Sequence, residues 1–267
     1  MAATQQAGGS AAVQGALWGA RARDWAELQE PVSRPLYEAV LRGTGIVAGT
    51  SVLDIGCGAG LFCALASERG ARIWGLDASD ALVAIARGRV PHGEFQVGEM
   101  EALPYREQTF DVVTGFNSFQ FAVNPVTALA EARRVARPGA PVVIATWGKP
   151  EHSEAAEYLA ALRPLLPPAP PGAPGPFALS ADGALAAFAT GAGLAPQSVD
   201  EVECPLEYPD LETALRGLLS AGPAVRAIQV SGEDRVREAV VQALAPYRLS
   251  SGGYRLEHSF LFMVATA

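Results

Sequence analysis

The run Val52-Leu53-Asp54-Ile55-Gly56-Cys57-Gly58-Ala59-Gly60 joins an apolar stretch to an acid and then to three alternating glycines. A helix-like run from Leu61 to Arg69 follows, Gly70 closes it, and a second apolar run ends on Asp77. The pattern predicts strand, glycine-rich turn, helix and strand, with a carboxylate at the tip of the second strand. Glycine belongs where backbone takes positive φ or must approach a ligand closely. The start of the helix offers free N–H groups. Asp77 lies about twenty residues past the turn, where a carboxylate can take two ribose hydroxyls. The chemistry these residues suit is the holding of an adenosine-containing ligand.

Glycine spacing narrows the ligand. A dinucleotide fingerprint, G-x-G-x-x-G, would place its last glycine at position 61, which is Leu61. The pattern is G-x-G-x-G instead, and Asp54 precedes it. An acid there suits an ammonium group better than a pyrophosphate, and S-adenosylmethionine carries an ammonium group and no phosphate. On these residues the chain resembles the class I S-adenosylmethionine-dependent methyltransferases. The resemblance runs from about residue 50 to 150 and is closest to the small-molecule enzymes of the ubiquinone/menaquinone-biosynthesis type.

The resemblance implies an α/β, Rossmann-like, seven-stranded and mostly parallel sheet with helices on both faces. It implies S-adenosylmethionine as cofactor, held by Asp54, Gly56, Cys57, Gly58, Gly60, Asp77, Ala78 and Leu82. In Gly98-Glu99-Met100-Glu101-Ala102-Leu103-Pro104-Tyr105, Glu99 would accept from the adenine amino group and the Met100 N–H would reach the ring. Glu99 is one methylene longer than the aspartate usual there. The segment Phe110 to Asn117 reads as the fourth strand and its exit. Phe116 and Asn117 would meet the methionine end, and Phe119, Gln120 and Phe121 would face the acceptor or pack in the core. Many relatives carry a histidine in this segment; here Gln120-Phe121 stands instead. Pro141 to Trp147 gives a fifth strand, with Trp147 facing the acceptor.

These elements need a frame. The chain has 267 residues and 49% hydrophobic content, enough for one α/β domain with embellishments. Residues 1–14 read as a disordered tail and 15–267 as a single domain. Within it, 15–45 form a helical lid, 50–150 the cofactor core and 210–250 a helical cap inserted before the last strand. Trp18 and Trp25 lie in a helical segment, Leu17 to Arg42, broken near Pro31 and Pro35; they either close the pocket or pack on the domain edge. Pro167 to Pro176 is a semi-rigid connector. Ser180 to Ala192 reads as helix, Val199 to Tyr208 as a sixth strand, and Tyr254 to Val264 as the last, antiparallel strand. Asp210 caps a helix running to Ala221, and a second cap helix carries Val236, Val240, Leu244 and Tyr247 on one face.

Net charge is −8 with no basic stripe, which opposes nucleic acid as a partner. Cys57, Cys63 and Cys204 show neither metal spacing nor a pairing framework, and the three histidines suggest no metal site. No apolar stretch reaches the length of a membrane span, and the N-terminus lacks a signal-peptide pattern, so a cytoplasmic location is expected. The expected activity is methyl transfer to a small, largely apolar metabolite, on oxygen or carbon, as in secondary metabolite biosynthesis. His152 is the nearest histidine to serve as base, and Tyr247 a further acceptor-side residue. The alternative is a binding protein of the same fold that does not transfer the methyl group. A monomer or homodimer is expected.

Overall fold

The computed structural model describes residues 9–168 and 175–267. The expectations for residues 1–8 of the tail and 169–174 of the Pro-rich connector lie outside them. The N-terminal segment forms helix α1 (Ala11–Gly19), the short α2 (Ala22–Asp24), a π-helical turn (Trp25–Gln29), a 3-10 turn (Glu30–Ser33) and α3 (Arg34–Gly43). The core follows as β1 (Ser51–Ile55), α4 (Leu61–Glu68), β2 (Arg72–Asp77), α5 (Asp80–Arg89), β3 (Glu94–Val97), β4 (Val112–Phe116), α6 (Pro125–Val135) and β5 (Pro141–Trp147). Then come α7 (Ala155–Leu162), α8 (Ala184–Gly191), β6 (Ala195–Glu203), β7 (Leu206–Tyr208), α9 (Leu211–Leu218), α10 (Gly222–Ser231), α11 (Glu233–Leu244), β8 (Tyr254–Leu256) and β9 (Ser259–Thr266).

Seven strands form one sheet in the order β3-β2-β1-β4-β5-β9-β6. All run parallel except β9, which is antiparallel to both β5 and β6. Every residue of β1 is buried, as are Val142 to Thr146 of β5, because helices cover both faces of the sheet. Helix starts carry their own caps: Ser79 accepts from the Leu82 N–H, Asn124 from Thr127, and Asp210 from Thr213. Strand order reverses between β1 and β4, and a ligand crevice belongs outside their carboxyl ends.

Several boundaries differ from expectation. Residues 11–14 are the first turn of α1 and not part of a tail. The lid breaks at Ala20-Arg21 as well as at the 3-10 turn that holds Pro31, while Pro35 sits in the first turn of α3, where a missing N–H is tolerated. The run Val199 to Tyr208 divides at Cys204-Pro205: the Cys204 N–H donates to the His258 carbonyl, and Pro205 has no N–H to continue the ladder. Its second half, β7, pairs with β8 in a separate two-stranded sheet. The last strand divides likewise, at Glu257-His258. The cap holds three helices, not two: Pro223 starts α10, and Gly232, at φ 86°, ends it.

A largely buried ion pair ties the lid to the core, beside the apolar packing of Leu36, Val40 and Leu41. Glu30 is 2% exposed and pairs with Arg89 at the end of α5. Arg89 also donates to the carbonyls of Ala59, in the glycine-rich turn, and Ala26, in the lid. Burial raises the Glu30 pKa, and Arg89 opposes that shift. Removing one member of a buried pair strands the other charge, at a cost of about 3 kcal/mol or more. Arg89→Met should therefore lower the Tm by several degrees, and adding Glu30→Gln should recover part of the loss. A fall no larger than that of an exposed arginine such as Arg34→Met would contradict this role.

Candidate functional site

The turn after β1 projects beyond the sheet where strand order reverses. Gly56, Gly58 and Gly60 hold φ of 73°, 54° and 81°, conformations that favour glycine. The Gly56 and Cys57 N–H groups donate to the Leu76 carbonyl and fix the turn to β2. Asp77 closes it: one carboxylate oxygen accepts from the Gly58 N–H at 2.9 Å, the other from Ser79 at 2.8 Å. Burial raises the Asp77 pKa, and these backbone donors oppose the rise. Each oxygen keeps a lone pair for a further donor.

A cleft opens above these groups. Gly56, Gly58, Asp77, Ala78, Leu82, Glu99, Met100, Phe116 and Asn117 line it, so most of the expected cofactor residues converge. Trp18, Trp25 and Phe121 line it too, from the lid and from the exit of β4. Trp18 meets Trp25 edge-on with ring centroids 4.8 Å apart, and Phe121 at 5.3 Å. Asn117 takes a left-handed φ of 49°, which asparagine tolerates, and its N–H donates to the Ala145 carbonyl. Sequence reasoning missed Ser10, Ala11 and Gln14 of the lid, and Ser118. Gly15 and Gly19, four apart on α1, were the available signal: a Cβ on Gly15 would lie 2.2 Å from the Ala78 carbonyl oxygen, so only glycine lets the helix settle there.

Other expected residues lie elsewhere. Asp54 sits beneath the turn, 2% exposed, accepting from the Thr114 hydroxyl at 2.7 Å; it does not line the cleft. Cys57 is buried behind the turn, and burial pushes its thiol well up. Gly60 faces Ala86 of α5, not the cleft. Phe119, 1% exposed, belongs to the core under β4. Trp147 packs against Phe177, His258 and Phe260. His152, the expected base, is exposed and paired with Glu201 at 3.2 Å. It borders, with Tyr247, a separate open depression of about 390 Å³. His258 is buried rather than a surface residue; its Nδ1 lies 2.8 Å from the Ser153 hydroxyl, and burial lowers its pKa to about 4. Among the described residues no histidine lines the cleft and no side-chain cluster could hold a metal ion.

The cleft fits an adenosine ligand with a charged amino-acid end. Among the described residues, two buried polar atoms beside the turn have no partner, Trp25 Nε1 and Ser118 Oγ. A Cβ on Gly58 would lie 3.4 Å from Trp25 Nε1, and one on Gly56 would lie 3.2 Å from Ser118 Oγ. Such groups are costly to leave unpaired and are available to a ligand's carboxylate and ammonium. The Asp77 carboxylate has room for two hydroxyls. The enclosed volume, about 90 Å³, is below the roughly 300–1,000 Å³ of ordinary ligand pockets, so the lid must lift to admit a nucleoside.

Two measurements follow. Each charge-assisted hydrogen bond is worth about 1.5–3 kcal/mol, so Asp77→Ala should weaken S-adenosylhomocysteine binding about tenfold or more by calorimetry. Unchanged affinity in a folded variant would remove Asp77 from the site. Asp54 titrates near 3.8 when unfolded but about 7 when folded, through burial. The folded state holds that proton more tightly, so the stability it confers is full below about pH 4 and is lost as pH rises through 7. The Tm of the wild type relative to Asp54→Asn should fall between pH 5 and pH 8; a constant difference would contradict the buried, protonated acid.

Residues 53–144 match the profile of a family described as a methyltransferase domain. The demethylmenaquinone methyltransferase of Renibacterium salmoninarum is 32% identical over 111 residues, 42% of this chain and 47% of that protein. The ubiquinone biosynthesis O-methyltransferase of Pseudomonas aeruginosa is 30% identical over 134 residues, 44% of this chain and 55% of that one. The chain thus spans about half the length of these curated relatives. The YcgJ protein of Bacillus subtilis superposes with a TM-score of 0.59 at 19% identity, over 86% of this chain and 97% of that one, a likeness of fold alone. Residues 53–144 thus carry a methyltransferase domain that spans the G-x-G-x-G turn and β2 to β4, and the sheet order is that of the class I S-adenosylmethionine-dependent methyltransferase fold.

Proposed function

We propose that this protein transfers the methyl group of S-adenosylmethionine to a small, largely apolar metabolite, on oxygen or carbon. The observation that carries the reading is the cleft itself, where Asp77 and the glycine turn stand opposite an aromatic wall of Trp18, Trp25, Phe116 and Phe121. When bound, the cofactor supplies a methyl group on a good leaving group, the sulfonium. The protein's part is alignment and exclusion of water. Asp77 would take the ribose hydroxyls. Trp25 Nε1 would donate to the amino-acid carboxylate, and Ser118 Oγ would serve the same end of the molecule. The aromatic rings would seat an apolar acceptor and keep water out.

Net charge and lining both favour that acceptor class. The carboxylates that line the cleft are Asp77 and Glu99, and the chain's net charge is −8, a poor match for a polyanion. Among the described residues no histidine lines the cleft for base catalysis, which favours acceptors that ionise easily or react at an electron-rich carbon. Panels of phenolic, quinone-like and polyketide acceptors, scored by release of S-adenosylhomocysteine, test the reading. Turnover confined to nucleic acid, protein or polar amines would overturn it.

The tail contact has its own test. Trp25→Phe keeps an aromatic ring, though a smaller one, and deletes the N–H. It should weaken S-adenosylhomocysteine about tenfold but leave 5′-methylthioadenosine, which lacks the amino-acid tail, unaffected. Equal losses for both ligands would reduce Trp25 to packing.

A further inference from the structure

Helix α1 arrives over the cleft without a cap of its own. Ser10 stands at the N-cap position, but its side chain accepts no N–H from the first turn, and that turn carries no acid. A helix of nine residues is too short to persist alone in water, so its ends must be held. The missing cap comes from 88 residues away. Glu99 Oε2 accepts from the Ala11 N–H at 2.8 Å, and Oε1 lies 3.4 Å from the Ser10 hydroxyl. The same Oε1 accepts from the Glu101 N–H at 3.2 Å. A carboxylate offers roughly four acceptor directions, and three are taken here. The chain also crosses directly over the group, since a Cβ on Gly9 would lie 2.0 Å from Oε2.

We infer that Glu99 is a positioning residue that latches the lid helix shut as a long-range N-cap, and that it does not read the adenine amino group. The inference rests on the cofactor reading above for what the lid covers. The extra methylene of glutamate, relative to the aspartate of the resembling family, extends the carboxylate toward the lid. A carboxylate at a helix start meets the positive end of the helix dipole as well as the free N–H groups. The other end of α1 is held independently: a Cβ on Gly222 of α10 would lie 2.7 Å from Trp18 Nε1. Loss of the latch should free the N-terminal turn first and leave the cap contact in place. Base selectivity then comes from groups other than this side chain.

The test uses the full chain. In the ligand-free protein, Glu99→Ala should speed hydrogen exchange of amides 11–19 about fivefold, the effect of losing one N-cap, with the sheet unchanged. Glu99→Gln, which keeps an acceptor, should restore most of the protection. If the Ala variant does not fold, Glu99→Met fills the same space without an acceptor. By calorimetry, the ratio of affinities for S-adenosylhomocysteine and S-inosylhomocysteine, which carries oxygen in place of the adenine amino group, should be the same in wild type and Ala variant. Unchanged exchange at 11–19, or a collapse of that ratio, overturns the inference. If the wild type binds neither ligand, the cofactor reading fails, and the exchange measurement still decides whether Glu99 caps α1.

Discussion

Asp77 accepts from the backbone of Gly58 and of Ser79, and this pair of bonds ties the tip of β2 to the turn after β1. The geometry of the cleft depends on that tie. It holds the glycine turn in its left-handed conformations, aims a buried carboxylate outward, and starts α5 in register through Ser79. A carboxylate with one bond per oxygen is half-satisfied in a place where water is scarce. A ligand presenting two adjacent hydroxyls completes it.

A second tie joins the core to its cover. Arg89, at the end of α5, reaches the turn at Ala59 and the lid at Ala26 and Glu30 at once. The cap then fastens to the lid from outside: Arg216 pairs with Asp24, Arg21 with Glu233, and the Tyr208 hydroxyl donates to Gln29. Lid and cap therefore form one connected roof. The exposed pairs in it are individually weak, whereas the Glu30–Arg89 pair is largely buried. Within the roof, α1 and α2 bury only Leu17 and Ala22, and such sparsely packed elements belong to the part of a fold that opens first.

The sheet was legible in the sequence because central parallel strands are continuous apolar runs and their turns need glycine. Val52 to Gly60 and Pro141 to Trp147 carry that signal without help from tertiary contacts. The cleft was legible where backbone geometry dictates residue type, as at Gly56, Gly58 and Asp77. It was not legible where long-range packing decides. Phe119 and Phe121 stand two apart in one short segment; the first fills the core and the second faces the cleft, because a 3-10 turn rotates one from the other. His152 looked close to the site in sequence, yet it follows the end of β5 outward to Glu201. Asp54 has the residue type of a ligand contact, but Thr114 on the neighbouring strand holds it under the turn. Glu99 and Ala11 are 88 residues apart, and no local pattern announces a cap supplied across that distance.

The central claim is that this cleft is built for an adenosyl amino acid and not for a dinucleotide. Calorimetric titration of the full-length protein with S-adenosylhomocysteine, and separately with NADH, addresses it most directly. The account predicts one equivalent of S-adenosylhomocysteine per chain and no heat of binding with NADH. Saturable NADH binding, with S-adenosylhomocysteine silent, would contradict it.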